Sequence, residues 1–238
     1  MSEITKDEFG AVEKTPFIGI RKSIAKRLKM TTTAVAMVTH FDFADVTEVA
    51  TLRAEMKASG KAISYMPFII KAVTNALSEE QHKIINSELD EENGSILFKR
   101  YFNVGIAVDT ERGLMVPVIQ HADKLSLEEL GQSLSSIAER ARSRTIKLEE
   151  MRGGTFTISN VGAVGGAFST PIMNYPQAAI LGLGKITDEA MVKNGQIVIG
   201  KRLPLFLSFD HRLIDGADAG RFLNAIIASL AEPKNLMK

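Results

Sequence analysis

Hydrophobic and polar positions recur along the chain with the two periods that distinguish helices from strands. Ile20, Ile24 and Leu28 recur at every fourth position, which predicts a helix, whereas apolar and polar residues alternate over 37–43, which predicts a strand. The predicted helices cover 18–28, 45–57 (capped by Asp45), 66–77, 126–142 (with a capping box at Ser126–Glu129) and 217–230. The predicted strands cover 37–43, 103–109, 114–119, 154–159, 178–183, 196–199 and 203–209.

These elements are interspersed, and neither an internal repeat nor a Pro/Ser-rich gap separates them. We therefore predict one α/β domain over residues 16–238. Residues 1–15 are polar and lack periodicity, so we expect them to form a flexible lead-in or the remnant of a linker.

Composition narrows the class of protein. A chain of 238 residues can bury a full core, and a net charge of +1 gives no reason to expect binding to nucleic acid or to a membrane surface. No apolar run approaches the roughly 20 residues of a transmembrane helix. The chain has no cysteine, which excludes a thiol nucleophile and fits a reducing compartment. We expect a cytoplasmic protein, or one of the mitochondrial matrix if the source is eukaryotic.

The candidate chemistry lies where the predicted strand 203–209 ends. His211 follows this strand directly, Asp215 stands four residues later, and Gly216 allows a tight turn. An imidazole can take a proton near neutral pH and a carboxylate can fix the local geometry, so the pattern suits acyl-group transfer. The alternative interpretation is a surface histidine followed by an aspartate that caps a helix.

Other candidate motifs are excluded by their spacing. The glycine-rich segments 162–166 and 182–185 fit neither a P-loop nor a dinucleotide-binding fingerprint. His40, His82 and His121 are scattered without the spacing of metal ligands, so we predict no metal site.

Several segments in one order resemble the dihydrolipoamide acyltransferase component of 2-oxo acid dehydrogenase complexes. The resemblance extends from about Pro16 to the C-terminus, and a series of motifs in the same order is more specific than any one of them. The segments are Gly19–Lys22, Ser64–Phe68, Asn103–Pro117, Gly154–Gly162, Ala179–Gly182 and Leu205–Ala217.

The resemblance implies a chloramphenicol-acetyltransferase-like fold, in which a mixed sheet is flanked by helices. It also implies that residues 16–238 are an acyltransferase catalytic domain whose subunits form trimers, with active sites between subunits. Trimers of this family join into hollow cages through an apolar C-terminal tip, for which Leu236 and Met237 are the candidates here.

The implied substrates are coenzyme A and a dihydrolipoyl group. The chain has neither a lipoyl-lysine hairpin nor a peripheral-subunit-binding domain, so the lipoyl group is expected from a separate lipoyl domain. The other implied partners are the 2-oxo acid decarboxylase and dihydrolipoamide dehydrogenase components of the complex.

Three residues are predicted to perform the chemistry. A CoA or dihydrolipoyl thiol has a pKa of about 8.5, and a histidine base is well matched to its deprotonation, so His211 is the proposed general base. The resemblance implies that the Ser159 hydroxyl stabilises the oxyanion, and Asp215 is expected to organise the loop by pairing with Arg21 or Arg27. The residues carried over for CoA are Arg53, Ser64, Asp109, Ser159, Asn160, Gly184 and Ile186.

Two alternative functions remain open, a stand-alone CoA-dependent acetyltransferase and a non-catalytic scaffold core. A peptide-synthetase condensation domain is disfavoured because residue 210 is Asp rather than a second histidine. The acyl group is also open. Segments 64–68 and 154–162 look like branched-chain acyltransferases, whereas 103–117 and 209–211 are equally similar to acetyltransferases of pyruvate complexes.

Overall fold

A computed structural model describes residues 3–111 and 113–237. The helices are α1 Gly19–Ala34, α2 Thr47–Ala58, α3 Tyr65–Ser78, α4 Leu127–Arg142 and α5 Gly216–Ala231, with short 3-10 turns at 80–82, 122–124, 148–151, 162–164 and 233–237. The strands are β1 Glu3–Lys6, β2 Ala11–Lys14, β3 Met37–Asp45, β4 Ser87–Asp90, β5 Ser95–Phe98, β6 Val104–Ile106, β7 Val118–Ile119, β8 Phe156–Asn160, β9 Ala179–Leu183, β10 Thr187–Lys193 and β11 Gln196–Asp210.

The main sheet is mixed, as predicted. Its strands follow the order β10-β11-β9-β8-β6-β7. Strand β3 pairs with β11 on the side opposite to β9. Strands β6, β8 and β9 are parallel, whereas β3, β7 and β10 pair antiparallel with their neighbours. The second half of β11 lies between β3 and β9, so the predicted strand 203–209 has a paired strand on each side.

Helices α2 and α5 contact the sheet at β11 and β3, and α3 packs against α2, α4 and α5, whereas α1 buries only Thr31. Helix α3 is apolar around its circumference and is buried among its neighbours, and α5 presents Phe222 to Phe156 of β8 at 5.8 Å between ring centroids. Burial of a phenylalanine side chain contributes roughly 2 kcal/mol, so these apolar stripes are what hold the helices to the sheet. The predicted capping box is confirmed at the start of α4, where Ser126 and Glu129 bond each other's backbone N–H groups.

The N-terminal segment differs from the expectation. Strands β1 and β2 form an antiparallel hairpin, so residues 3–14 have regular structure. The cause is local, because the Asp7 carboxylate accepts the N–H groups of Phe9 and Gly10 and closes a turn. The hairpin is largely exposed, with Phe9 at 89%. The boundary between a lead-in and the domain at residue 16 remains a prediction.

The strand predictions were too coarse in three places. Segment 114–119 reduces to a bridge at Met115 and the short β7, because Pro117 has no N–H to donate to a ladder. The predicted strands 196–199 and 203–209 are one continuous strand, β11. The hairpin β4–β5 and the strand β10 were not predicted.

Candidate active site

His211 stands directly beyond the end of β11. Its backbone N–H donates to the Ala36 carbonyl at 2.8 Å, and the N–H of Asp210 donates to the Ala178 carbonyl at 3.0 Å. These bonds anchor the main chain at both sides of the strand end, while the side chain of His211 remains exposed. The sequence thus places an accessible imidazole on a fixed backbone.

An ion pair secures the turn that carries His211. The buried carboxylate of Asp210 accepts from Nε and Nη2 of Arg212, and Glu91 accepts from its Nη1 at 2.6 Å. The Asp210 carboxylate, followed by Glu91, raises the pKa of the Arg212 guanidinium above its ordinary value. Because Glu91 lies between β4 and β5, this pair ties a hairpin that sequence reasoning missed to the turn of His211.

Asp215 caps helix α5. Its carboxylate accepts the N–H of Asp218 at 2.8 Å, and this bond, with a further one from the Ala217 N–H, holds the pKa of the Asp215 carboxyl below its ordinary value. Within residues 3–111 and 113–237, Asp215 forms no ion pair with Arg21 or Arg27, so the predicted pairing is wrong for a single chain.

Arg27 instead donates to the Tyr175 carbonyl at 3.1 Å. The alternative interpretation of Asp215, a helix cap, therefore describes its contacts within the chain. A cap that fixes the start of α5 also fixes the end of the loop that begins at His211, so the residue still organises this loop.

Ser159 lies near the end of β8. The register places Ser159 beside Gly182 of β9, and Gly182 beside Phe206 of β11, so these residues share one face of the sheet. A Cβ at Gly182 would collide with the Phe206 ring, so only glycine allows this ring to lie over the strand next to Ser159. Ser159 itself is partly exposed.

The residues predicted to bind CoA gather at the same end of β8. Arg53 of α2 donates from Nε to the Ile63 carbonyl at 2.8 Å, and its guanidinium carbon lies 3.9 Å from the Tyr65 ring centroid. Ser64 precedes the first turn of α3, and its hydroxyl makes no capping bond. Asn160 reaches the same turn through its amide nitrogen, 3.8 Å from the Met66 sulfur.

The remaining predicted residues follow neighbouring strand ends. Asp109 comes after β6, and Gly184 and Ile186 come after β9; both strands are parallel to β8, so all three residues lie at the end where Asn160 lies. A Cβ at Gly162 would collide with the Gly184 backbone. These glycines therefore allow close packing of two loops.

His211 lies at the opposite end of the sheet. Ser159 is level with Phe206 in the register, and His211 is five residues further along β11, which is about 16 Å along a strand. One chain therefore does not place the proposed base beside the proposed oxyanion donor.

Three contacts in this region had no signal in the sequence. Tyr65 and Arg53 are twelve positions apart on different helices, and Glu91 is far from Arg212 along the chain. Phe206 was predicted only as part of the strand 203–209, and its position over Gly182 was not predicted. Such contacts depend on how distant elements pack, which periodicity does not report.

Among residues 3–111 and 113–237, no group of three or more His, Asp or Glu side chains could hold a metal ion, and no helix is both long and apolar enough to cross a bilayer. The prediction of no metal site remains a prediction.

Comparison with known proteins places this geometry in a family. Residues 9–238 match the model of the 2-oxoacid dehydrogenases acyltransferase (catalytic domain). The acetyltransferase component of the pyruvate dehydrogenase complex of Bacillus subtilis is 40% identical over 223 residues, which are 92% of this chain and 50% of that protein. The chain thus spans about half the length of the curated relatives that it matches.

Solved structures give the same result. The dihydrolipoamide acetyltransferase of Azotobacter vinelandii aligns over 100% of both chains with a TM-score of 0.91 and 34% identity, and so does a chain from the cubic core of a pyruvate dehydrogenase multienzyme complex. In the Azotobacter enzyme, the catalytic roles of a serine, a histidine 52 residues later and an asparagine four residues after that were investigated. Ser159, His211 and Asp215 have the same separations here.

A chloramphenicol acetyltransferase aligns over 90% of this chain and 94% of its own with a TM-score of 0.54 and 14% identity, which confirms the predicted fold. The family model covers nearly the whole chain, and the relatives share at least a third of its residues. The chain belongs to the 2-oxoacid dehydrogenase acyltransferase family, and it contains the catalytic domain of that family.

Proposed function

We propose that this chain transfers an acetyl group between coenzyme A and a dihydrolipoyl thiol, as part of a pyruvate dehydrogenase complex. The observation that carries the proposal is the set of Ser159, His211 and Asp215, whose separations match those of the serine, histidine and asparagine studied in the Azotobacter enzyme. The names of the relatives support acetyl over branched-chain acyl transfer.

The transfer is a direct exchange between two thiols. His211 removes the proton of the incoming thiol as its sulfur attacks the thioester carbonyl, and a new C–S bond forms in a tetrahedral intermediate. The old C–S bond then breaks, and the departing thiolate takes the proton back from the imidazolium. No acyl-enzyme forms, so no nucleophilic side chain is required.

Ser159 is proposed to donate its hydroxyl to the oxyanion of that intermediate. A well-placed donor of this kind contributes roughly 3 to 4 kcal/mol to the transition state.

The separation of His211 from Ser159 supports an active site between subunits. In a closed ring of subunits, the His211 end of each chain meets the Ser159 end of the next, and a trimer contains three such sites. The cubic core formed by a relative supports a larger assembly of trimers.

Only one of the two apolar side chains expected to link trimers is exposed. Leu236 is 2% exposed and packs in the core of its own chain, whereas Met237 is 53% exposed. Met237 is therefore the apolar side chain that we propose for contact with a neighbouring trimer.

The proposed partners are the 2-oxo acid decarboxylase and dihydrolipoamide dehydrogenase components, with a separate lipoyl domain as the source of the dihydrolipoyl thiol. A cytoplasmic location is part of the proposal, and the bacterial origin of the relatives supports it.

Steady-state transfer to free dihydrolipoamide from acetyl-CoA and from isobutyryl-CoA tests the proposal. We expect a higher kcat/KM with acetyl-CoA, and a loss of roughly 100-fold or more in kcat for His211→Ala with the fold and CoA binding retained. A preference for isobutyryl-CoA would contradict the acetyl assignment. Transfer of similar efficiency to unrelated acceptors would favour a stand-alone acetyltransferase, and no transfer at all would favour a scaffold.

A further inference from the structure

Arg53 is held in place more firmly than a solvated helix residue would be. Its Nε–H is bonded to the Ile63 carbonyl at 2.8 Å, and the Tyr65 ring covers one face of its guanidinium at 3.9 Å. We infer that Tyr65 is a positioning residue, which holds the Arg53 guanidinium in the orientation that binds a phosphate of CoA. This inference rests on the proposed function.

The charge of Arg53 is not neutralised within the part of the chain that the structure describes. Arg202 also stacks on an aromatic ring, that of Phe43 at 4.7 Å, but it pairs with Glu189 at 3.1 Å. Among residues 3–111 and 113–237, no carboxylate lies within ion-pairing distance of Arg53, although its side chain is half-buried. A half-buried guanidinium without a carboxylate is suited to an anionic ligand.

The contacts with the Ile63 carbonyl and the Tyr65 ring orient the Arg53 guanidinium and leave its terminal nitrogens available for an anion. Arginine has five N–H donors in one plane, and the Ile63 carbonyl takes the one on Nε. The ring of Tyr65 restricts rotation of that plane through a cation–π contact. The terminal nitrogens keep four N–H groups in a fixed fork, the geometry in which arginine binds phosphate through two parallel bonds.

The surroundings add to the positive potential at this position. Tyr65 opens α3, a helix of 14 residues whose first turn contains no acidic residue. The N–H groups at the start of such a helix favour an anion. The Ser64 hydroxyl makes no capping bond and is exposed next to Tyr65, so it is a second donor beside Arg53.

The test is the kinetics of Tyr65→Leu, which removes the ring and retains an apolar side chain. We expect the KM for acetyl-CoA to rise about fivefold to tenfold while kcat at saturation is unchanged, because the ring acts on binding through Arg53 and not on the reacting atoms. Tyr65→Phe, which keeps a ring face, should recover most of the lost affinity. The KM for dihydrolipoamide should not change.

Two further variants complete the design. Arg53→Gln should raise the KM for acetyl-CoA at least as much as Tyr65→Leu, and the double variant should be no weaker than Arg53→Gln alone. Phe98→Leu is the matched control, because Phe98 also lies under a cation, Lys83 at 5.4 Å, but on β5, outside the set of residues proposed to bind CoA. It should leave the KM for acetyl-CoA unchanged.

Acetyl-CoA lacking the 3′-phosphate identifies the phosphate concerned. If the effects of Tyr65→Leu and Arg53→Gln vanish with this substrate, the contact is to the 3′-phosphate; if they persist, it is to the diphosphate. Either result supports the inference.

A raised KM in Arg53→Gln with an unchanged KM in Tyr65→Leu overturns the role of Tyr65 and leaves the proposed function standing. If neither variant changes the KM, Arg53 is not part of the CoA site either. Failure of the proposed function is distinct from both, because the unaltered protein would then not transfer acetyl groups at all.

Discussion

At the residue scale, Ser159 has one proposed chemical task. Ser159→Ala should lower kcat by about 100-fold with little change in the KM for acetyl-CoA, because the hydroxyl binds the oxyanion more strongly than the ground-state carbonyl. Steady-state kinetics of both constants measure the effect. A raised KM with an unchanged kcat would make Ser159 a binding residue instead.

Asp215 gives a second prediction at this scale. The Azotobacter enzyme has an asparagine at the same separation from its histidine, and Asn and Asp are equally good helix caps. Asp215→Asn should therefore keep kcat within about threefold, whereas Asp215→Ala removes the acceptor for the Asp218 N–H and destabilises the start of α5 by about 1 kcal/mol. A loss of activity in Asp215→Asn as large as in Asp215→Ala would show that the charge itself is required.

At the scale of elements, His82 couples the 3-10 turn at 80–82 to α5. The side chain is buried, its ring centroid lies 5.7 Å from that of Phe222, and its Nε2 has no hydrogen-bond partner among the described residues. Burial lowers the pKa of His82 below its ordinary value, against the opposing effect of Glu79.

The unfolded chain therefore binds this proton more readily than the folded chain does. The stability associated with neutral His82 is present above the unfolded pKa of about 6.5 and is lost as the pH falls below it. We expect the free energy of unfolding to decrease between pH 7.5 and pH 5.5, and to decrease less in His82→Leu. Urea unfolding of both proteins measures this, and parallel pH profiles would contradict the prediction.

The sequence predicted those features that depend on residues close together along the chain. The capping box of α4 and the strand that ends before His211 depend on neighbours a few residues apart, and both were predicted. The Glu91–Arg212 contact joins distant segments, so no local pattern indicated it. The β10–β11 hairpin was missed for another reason, because its two-residue turn, Asn194-Gly195, is a local signal that was not used. The family resemblance supplied the residues proposed to bind CoA, and the parallel register of β6, β8 and β9 explains why Asp109, Asn160 and Gly184 lie at one end of the sheet.

At the scale of the whole molecule, the separation of His211 from Ser159 makes assembly part of the proposed chemistry. The exposed Met237 should matter for cages but not for trimers. Met237→Lys should therefore yield active trimers, while the unaltered protein forms much larger symmetric particles. Asn235→Lys adds the same charge on an exposed position of the same 3-10 turn and is the control. Sedimentation of the three proteins decides the matter, and large particles of Met237→Lys would exclude this role.

The relative positions of His211 and Ser159 are the central claim, because they require each active site to combine two chains. Co-expression of His211→Ala with Ser159→Ala chains, each with its own tag, tests it most directly. A site is intact only where the His211 of a Ser159→Ala chain meets the Ser159 of a His211→Ala chain, so random mixing should leave about one site in four intact and restore about one quarter of the unaltered activity to large particles. Activity no higher than that of the two variants assayed separately would contradict the account.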